Sequence, residues 1–161
     1  MTNPRPGDFG LVSIPGGVGF LIRVGQWLNG NGFRNYEHAF IVLDEYSLLE
    51  AMPGGAIVSS LDKYSHHRVR YSTVELTDQQ RADIVSQARK LQGTPYSILD
   101  YLAIAAKRFN LKFPGLDSRV KSYKHMICSV VVAHLYDDNG SQLTDQPAYL
   151  VDPEMLIPYT V

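Results

Sequence analysis

Two apolar runs separated by three residues constrain the fold of this chain more than any other feature. "HAFIVL" ends at Leu43 and "SLLEAM" begins at Ser47, with Asp44, Glu45 and Tyr46 between them. Apolar runs of this length around a short polar turn read as a β-hairpin, so the chain is expected to hold an antiparallel sheet. The register depends on the parity of the turn. An odd-length turn from Asp44 to Tyr46 sets Leu43 opposite Ser47, Phe40 opposite Glu50 and His38 opposite Met52. Side chains alternate along a strand, so His38, Phe40 and Val42 share one face, and Glu50 joins His38 there on a cross-strand diagonal. An even-length turn moves Glu50 to the other side.

The remaining elements follow from turn residues and periodicity. "GDFGLVSIP" predicts a strand from Phe9 to about Ile14, and "GGAIVSSL" another around Ala56 to Ser59. "HRVRYSTVEL" alternates His67, Val69, Tyr71 and Thr73 against Arg68, Arg70 and Ser72, as in a partly solvated strand. Val18, Leu21, Ile22, Gly25 and Leu28 recur at helical spacing in "GGVGFLIRVGQWLNG". The second half is helical. "TDQQRADIVSQARKLQG" opens with a capping box at Thr77 and Gln80, lines Ile84, Ala88 and Leu91 on one face and stops at Gly93. "SILDYLAIAAKRF" is a second helix, "NLKFPGLDSRV" a connector, and the stretch around "KHMICSVVVAHLY" a third helix that stops at "DDNG". The proline-punctuated tail is expected to be extended. Strands first and helices after give an α+β domain, a small antiparallel sheet in the N-terminal half packed on a helical layer in the C-terminal half. A chain of 161 residues makes one such domain, residues 1–161, with a core that needs neither disulfide nor metal.

Composition removes several function classes. A formal net charge of −1 offers no field to hold a polyanion, so nucleic acid is not an expected partner. "GGVG" lacks the Lys-Ser/Thr that a phosphate loop requires. His66 and His67 have no carboxylate or cysteine at ligand spacing, and no metal or other cofactor is expected. The opening "MTNPRPGDFG" lacks the basic-then-apolar layout of a signal peptide, and there is no apolar run of 18 or more residues. The expectation is a soluble chain without stable membrane insertion, cytoplasmic by default.

Cys128 is the only cysteine, so no intrachain disulfide forms. It is either a small apolar residue in a helix or a nucleophile near that helix's start. Attack requires a thiolate, and a free thiol with a pKa of about 8.5 is mostly protonated at neutral pH. A helix N-terminus and a neighbouring imidazole both favour the anion. The helix is expected to start near Ser122 or Tyr123, which places Cys128 within its first two turns, beside an apolar face of Ile127, Val130, Val131, His134 and Leu135. His125 lies three residues before Cys128 on the same mobile turn, and His134 lies roughly opposite. His38 is the better base, because a strand end is a rigid mount for an imidazole. Glu50, if it shares that face, either orients the ring or is a half-exposed strand carboxylate.

At these residues the chain resembles the circularly permuted branch of the NlpC-type cysteine peptidases and amidases. These are papain-like folds, related to the lecithin:retinol acyltransferase group. The unpermuted family has "GTPY", then a "DCSGLV" helix, then the histidine strands. Here "GTPY" is Gly93 to Tyr96, "ICSVVV" carries Cys128 and Ser129, and "EHAFIVL" precedes both. Gly7 and Asp8 in "PGDFGLVS" match the family's "GD" before its first strand, and "LLEAMPGGAIVSSLDKY" matches the permuted branch's strand, glycine turn and strand, with Glu50 at the polar position. Ile127 and Val130 depart from the usual Asp and Gly around the cysteine. The resemblance implies a single permuted catalytic domain, a bacterial or phage setting, and a thiol hydrolase cleaving an amide bond, cell-wall peptides included. In it Cys128 attacks, His38 is the base, Glu50 orients the ring, and the Cys128 backbone N–H with Tyr96 serves the oxyanion or substrate. The same fold also suits a lipid or ester hydrolase or acyltransferase, so the substrate is a peptide or an acyl compound. A non-catalytic binding or phage structural module with Cys128 simply buried is the alternative of another class.

Overall fold

The computed structural model describes residues 3–13, 36–52, 55–94 and 128–161. Five strands form one antiparallel sheet: β1 (Phe9–Val12), β2 (His38–Val42), β3 (Ser47–Met52), β4 (Gly55–Ser60) and β5 (Val69–Tyr71), in the order β4-β3-β2-β1-β5. Among the described residues there are two α-helices, α1 (Asp78–Lys90) and α2 (Cys128–Asp138), with 3-10 turns at Leu61–Tyr64, Ala148–Leu150 and Pro153–Tyr159. The architecture is α+β. Among the described residues no helix is long and apolar enough to cross a membrane.

The central hairpin has the odd-length turn. Asp44 builds it by accepting hydrogen bonds from the Tyr46 N–H (2.9 Å), the Ser47 N–H (2.8 Å) and the Ser47 hydroxyl (2.7 Å). Such an Asx turn fixes strand register locally. Phe40 pairs with Glu50, Ile41 with Leu49 and Val42 with Leu48. The ladder then ends, so His38 does not pair with Met52 as the sequence suggests.

The pleat divides the side chains cleanly. Phe9, Leu11, Ala39, Ile41, Leu49 and Ala51 face the helices and bury Ile84 and Ala88 of α1 with Val131, Leu135 and Tyr136 of α2. Val12, Phe40, Val42 and Leu48 face the other way, against Tyr64. Gly10 matters to this second layer. A Cβ there would come within 2.2 Å of the Phe40 ring tip, so only glycine lets the ring lie flat across β1. Phe40 in turn stacks on Tyr64, with ring centroids 5.4 Å apart and planes at 13°.

Capping and ion pairing hold the helices. Thr77 and Gln80 form the reciprocal capping box of α1, and Gly93 turns the chain with φ +81°. Arg81 of α1 donates to the Asp8 carboxylate (2.8 Å) and the Pro6 carbonyl (2.9 Å), tying the helix to the start of β1. Tyr136 of α2 donates to the Gly7 carbonyl (2.9 Å) and meets Phe9 edge-on.

Two expectations are corrected. The partly solvated strand spans only Val69–Tyr71, because beyond it Ser72 bridges to Thr160 and Thr73 donates to the Tyr159 carbonyl. The tail is not simply extended. Asp152 accepts the N–H groups of Glu154 and Met155 and Pro153 begins the turn, so "DPE" acts as a helical start. The helices read in "GGVGFLIRVGQWLNG" and "SILDYLAIAAKRF", the connector "NLKFPGLDSRV" and a helix start near Ser122 lie outside the described residues.

Candidate active site

His38 opens β2, where alternation aims it at the same side of the sheet as Phe40 and Glu50. Its Nε2 lies 2.9 Å from Glu50 Oε2. Glu50 is buried at 1% exposure, in the middle of β3, and four donors surround it. Besides His38 these are Lys63 Nζ on Oε1 (2.5 Å), the Tyr64 hydroxyl on Oε2 (2.5 Å) and the Ser59 hydroxyl from β4. Burial alone would push this carboxyl up, but the donors outweigh it and hold Glu50 down at about 2. An ionised carboxylate only accepts hydrogen bonds, so His38 Nε2 carries a proton and Nδ1 is the nitrogen left for another partner.

That partner is Cys128. Its sulfur is hydrogen-bonded to His38 and also receives the backbone N–H groups of Ala39 and Ser129. Leu43 N–H donates to the Ser47 carbonyl, which makes the odd-numbered residues of β2 the ones that bond toward β3. Ala39 would donate on the next rung. Beyond the Phe40–Glu50 pair the ladder does not continue, and the Ala39 N–H acts on the Cys128 sulfur.

The electrostatics favour a charged pair. Burial acts to lower the His38 pKa, but hydrogen bonds to Cys128 and Glu50 together with both their charges raise it to about 9. Burial acts to raise the Cys128 pKa, but the His38 hydrogen bond and charge, with the two backbone N–H groups, bring it below the usual thiol range. Only 6% of Cys128 and 4% of His38 is exposed, so this proton is shared in a largely water-excluded setting. Tyr64, pushed well above the ordinary phenol range by burial and by Glu50, stays a donor.

The structure thus brings Cys128, His38 and Glu50 together, with His38 between the other two. Tyr96, His125 and the Cys128 helix's approach lie outside the described residues. His134 is half-buried about 9 Å further along α2, and burial lowers its pKa. His66 is exposed, His67 packs edge-on to Tyr64 (5.5 Å), and among the described residues no group of three His, Cys, Asp or Glu is placed to hold a metal. Sequence reasoning did not reach Ser59, Lys63 and Tyr64. A four-residue 3-10 turn has no periodicity to read, and the one usable signal is Ser60, whose hydroxyl caps that turn through the Asp62 N–H. A scan against protein-family models and a search of the curated proteins find no match to this chain.

Proposed function

We propose that this chain is a thiol hydrolase of the papain-like, circularly permuted NlpC type, cleaving an amide bond in a peptide through Cys128, His38 and Glu50. The observation that carries this reading is the Cys128–His38 hydrogen bond with the far ring nitrogen fixed on a buried carboxylate. Chain order supports the permuted assignment, since the histidine strand at 38–42 precedes the cysteine helix at 128–138.

The chemistry follows from that arrangement. The thiolate attacks the carbonyl carbon, and the developing oxyanion takes a hydrogen bond from the Cys128 N–H. His38 Nδ1–H then protonates the departing amine as the acyl–sulfur bond remains. A water gives its proton back to Nδ1, attacks the thioester and releases the acid, restoring thiolate and imidazolium. Glu50 keeps the ring in one tautomer and balances its charge throughout, as the acid of a hydrolase triad does.

Iodoacetamide at pH 6 tests the pair without a known substrate. Cys128 is expected to react about 10²-fold faster than free cysteine, and His38→Ala to remove that advantage. Equal rates for wild type and His38→Ala, both matching free cysteine, would leave a buried thiol in a binding or structural module. With a panel of peptides and acyl esters, transfer of the acyl group to an added alcohol or amine in preference to water would move the reaction to the acyltransferase side of the same fold.

A further inference from the structure

We propose that Lys63 is a fourth member of the site, a positioning residue whose charge, acting through Glu50, lets thiolate, imidazolium and carboxylate coexist in the interior. The inference rests on the thiol-hydrolase reading and deepens it.

The argument begins with charge. Cys128, His38 and Glu50 in their working forms are negative, positive and negative, a net −1 in a region where the Glu50 side chain has no exposure and that of His38 has 5%. An uncompensated buried charge is costly and is usually relieved by taking up a proton. Lys63 Nζ lies 2.5 Å from Glu50 Oε1, the oxygen that His38 and Tyr64 do not use. With it the row runs negative, positive, negative, positive and sums to zero. The fold supplies this cation economically, because Ser60 caps the turn Leu61–Tyr64 and that single turn presents both Lys63 and Tyr64 to Glu50.

Lys63 is also placed differently from the other members. Its side chain is 38% exposed, so the ammonium keeps part of its hydration while reaching a carboxylate that has none. Its Nζ sits 5.2 Å from the centre of the Tyr64 ring. The other titratable groups around this cluster do not replace it. Tyr64 is neutral, Asp62 on the same turn is exposed and of the wrong sign, and His67 meets the Tyr64 ring rather than Glu50. From β2, buried Glu37 precedes His38 and adds no cation; from α2, Cys128 is the group served.

Removing one positive charge makes every proton in the row harder to lose. Lys63→Met therefore has a signed consequence: both limbs of the pH profile of thiol reactivity, the rise at thiolate formation on the acid side and the step at His38 deprotonation on the basic side, move to higher pH. At roughly 8–10 Å through a partly wet interior the shift is about one pH unit.

The experiment is the pH dependence of Cys128 alkylation by iodoacetamide from pH 4 to 10, read with thiolate absorbance near 240 nm. Wild type, Lys63→Met, Lys63→Gln and Lys63→Arg are compared, each checked for folding by near-UV circular dichroism. The expected result is an upward shift of both limbs in the two neutral variants and a wild-type profile in Lys63→Arg. Lys63→Gln keeps a donor to Glu50, so it separates charge from hydrogen bonding and serves if Lys63→Met fails to fold. Unmoved limbs in a folded neutral variant, with only the melting temperature lowered, overturn the proposal and leave Lys63 a structural contact. A wild-type thiol with ordinary reactivity and no dependence on His38 overturns the thiol-hydrolase reading itself.

Discussion

Two of the buried carboxylates, Asp8 just before β1 and Glu50 in the middle of β3, are used differently. Asp8 is bonded to Arg81 (2.8 Å) and to the Arg5 N–H (2.7 Å). Glu50, across from Phe40, is bonded to His38, Lys63, Tyr64 and Ser59. Asp8 has a guanidinium that never loses its proton and a backbone amide that cannot move, so the entry to β1 is locked. Glu50 has an imidazole, which unlike a guanidinium can give up its proton within the accessible pH range. The same physics, a carboxylate repaid for desolvation by donors, yields a fastener at Asp8 and a cluster of titratable groups at Glu50.

Four outcomes would sharpen or break this contrast. Asp8→Asn leaves Arg81, whose side chain is 12% exposed, without its counter-charge. Stability should fall by about 3–5 kcal/mol in a denaturant titration, while the pH profile of Cys128 alkylation stays in place. A moved profile would show the two carboxylates to be coupled. Glu50→Gln should do the reverse of this on reactivity: the basic limb, set by His38, falls by about 1–2 pH units. An unmoved limb would remove Glu50 from the row.

The third outcome is a stability window. Glu50, held down at about 2 against an ordinary 4.5, contributes stability that is complete above pH 4.5 and lost as pH falls toward 2. His38, raised from 6.5 to about 9, contributes stability that is complete below pH 6.5 and lost as pH rises through 9. The excess melting temperature of wild type over Glu50→Gln should therefore peak between about pH 4.5 and 6.5. A difference that is flat with pH would contradict both shifts. Smallest is Tyr64→Phe, which keeps the stack on Phe40 but removes one donor from Glu50. It should cost about 1.5 kcal/mol in denaturant and move the alkylation limbs by less than Glu50→Gln does.

The Glu50 site was legible in the sequence to an instructive depth. Asp44 closing a three-residue turn fixes the register, and the register alone puts Glu50 on the face of His38. Alternation is a short-range rule, and it needs nothing from the rest of the chain. The capping box at Thr77 was readable for the same reason. Lys63 and Tyr64 were not, because they reach Glu50 through a tight turn whose direction depends on how β4 ends. The early end of the ladder at Phe40 was not legible either. It lies beside Cys128, about ninety positions away, whose sulfur meets the Ala39 amide, and no local pattern records that. In the tail, Asp152 and Pro153 carried a start signal that the neighbouring prolines obscured.

The Ala39 amide has one more consequence. Its acceptor is a sulfur lone pair rather than a carbonyl oxygen, so the bond weakens whenever that sulfur is acylated or alkylated and loses its negative charge. Exchange of that single backbone hydrogen is then expected to be slower with the sulfur unmodified than after alkylation by iodoacetamide.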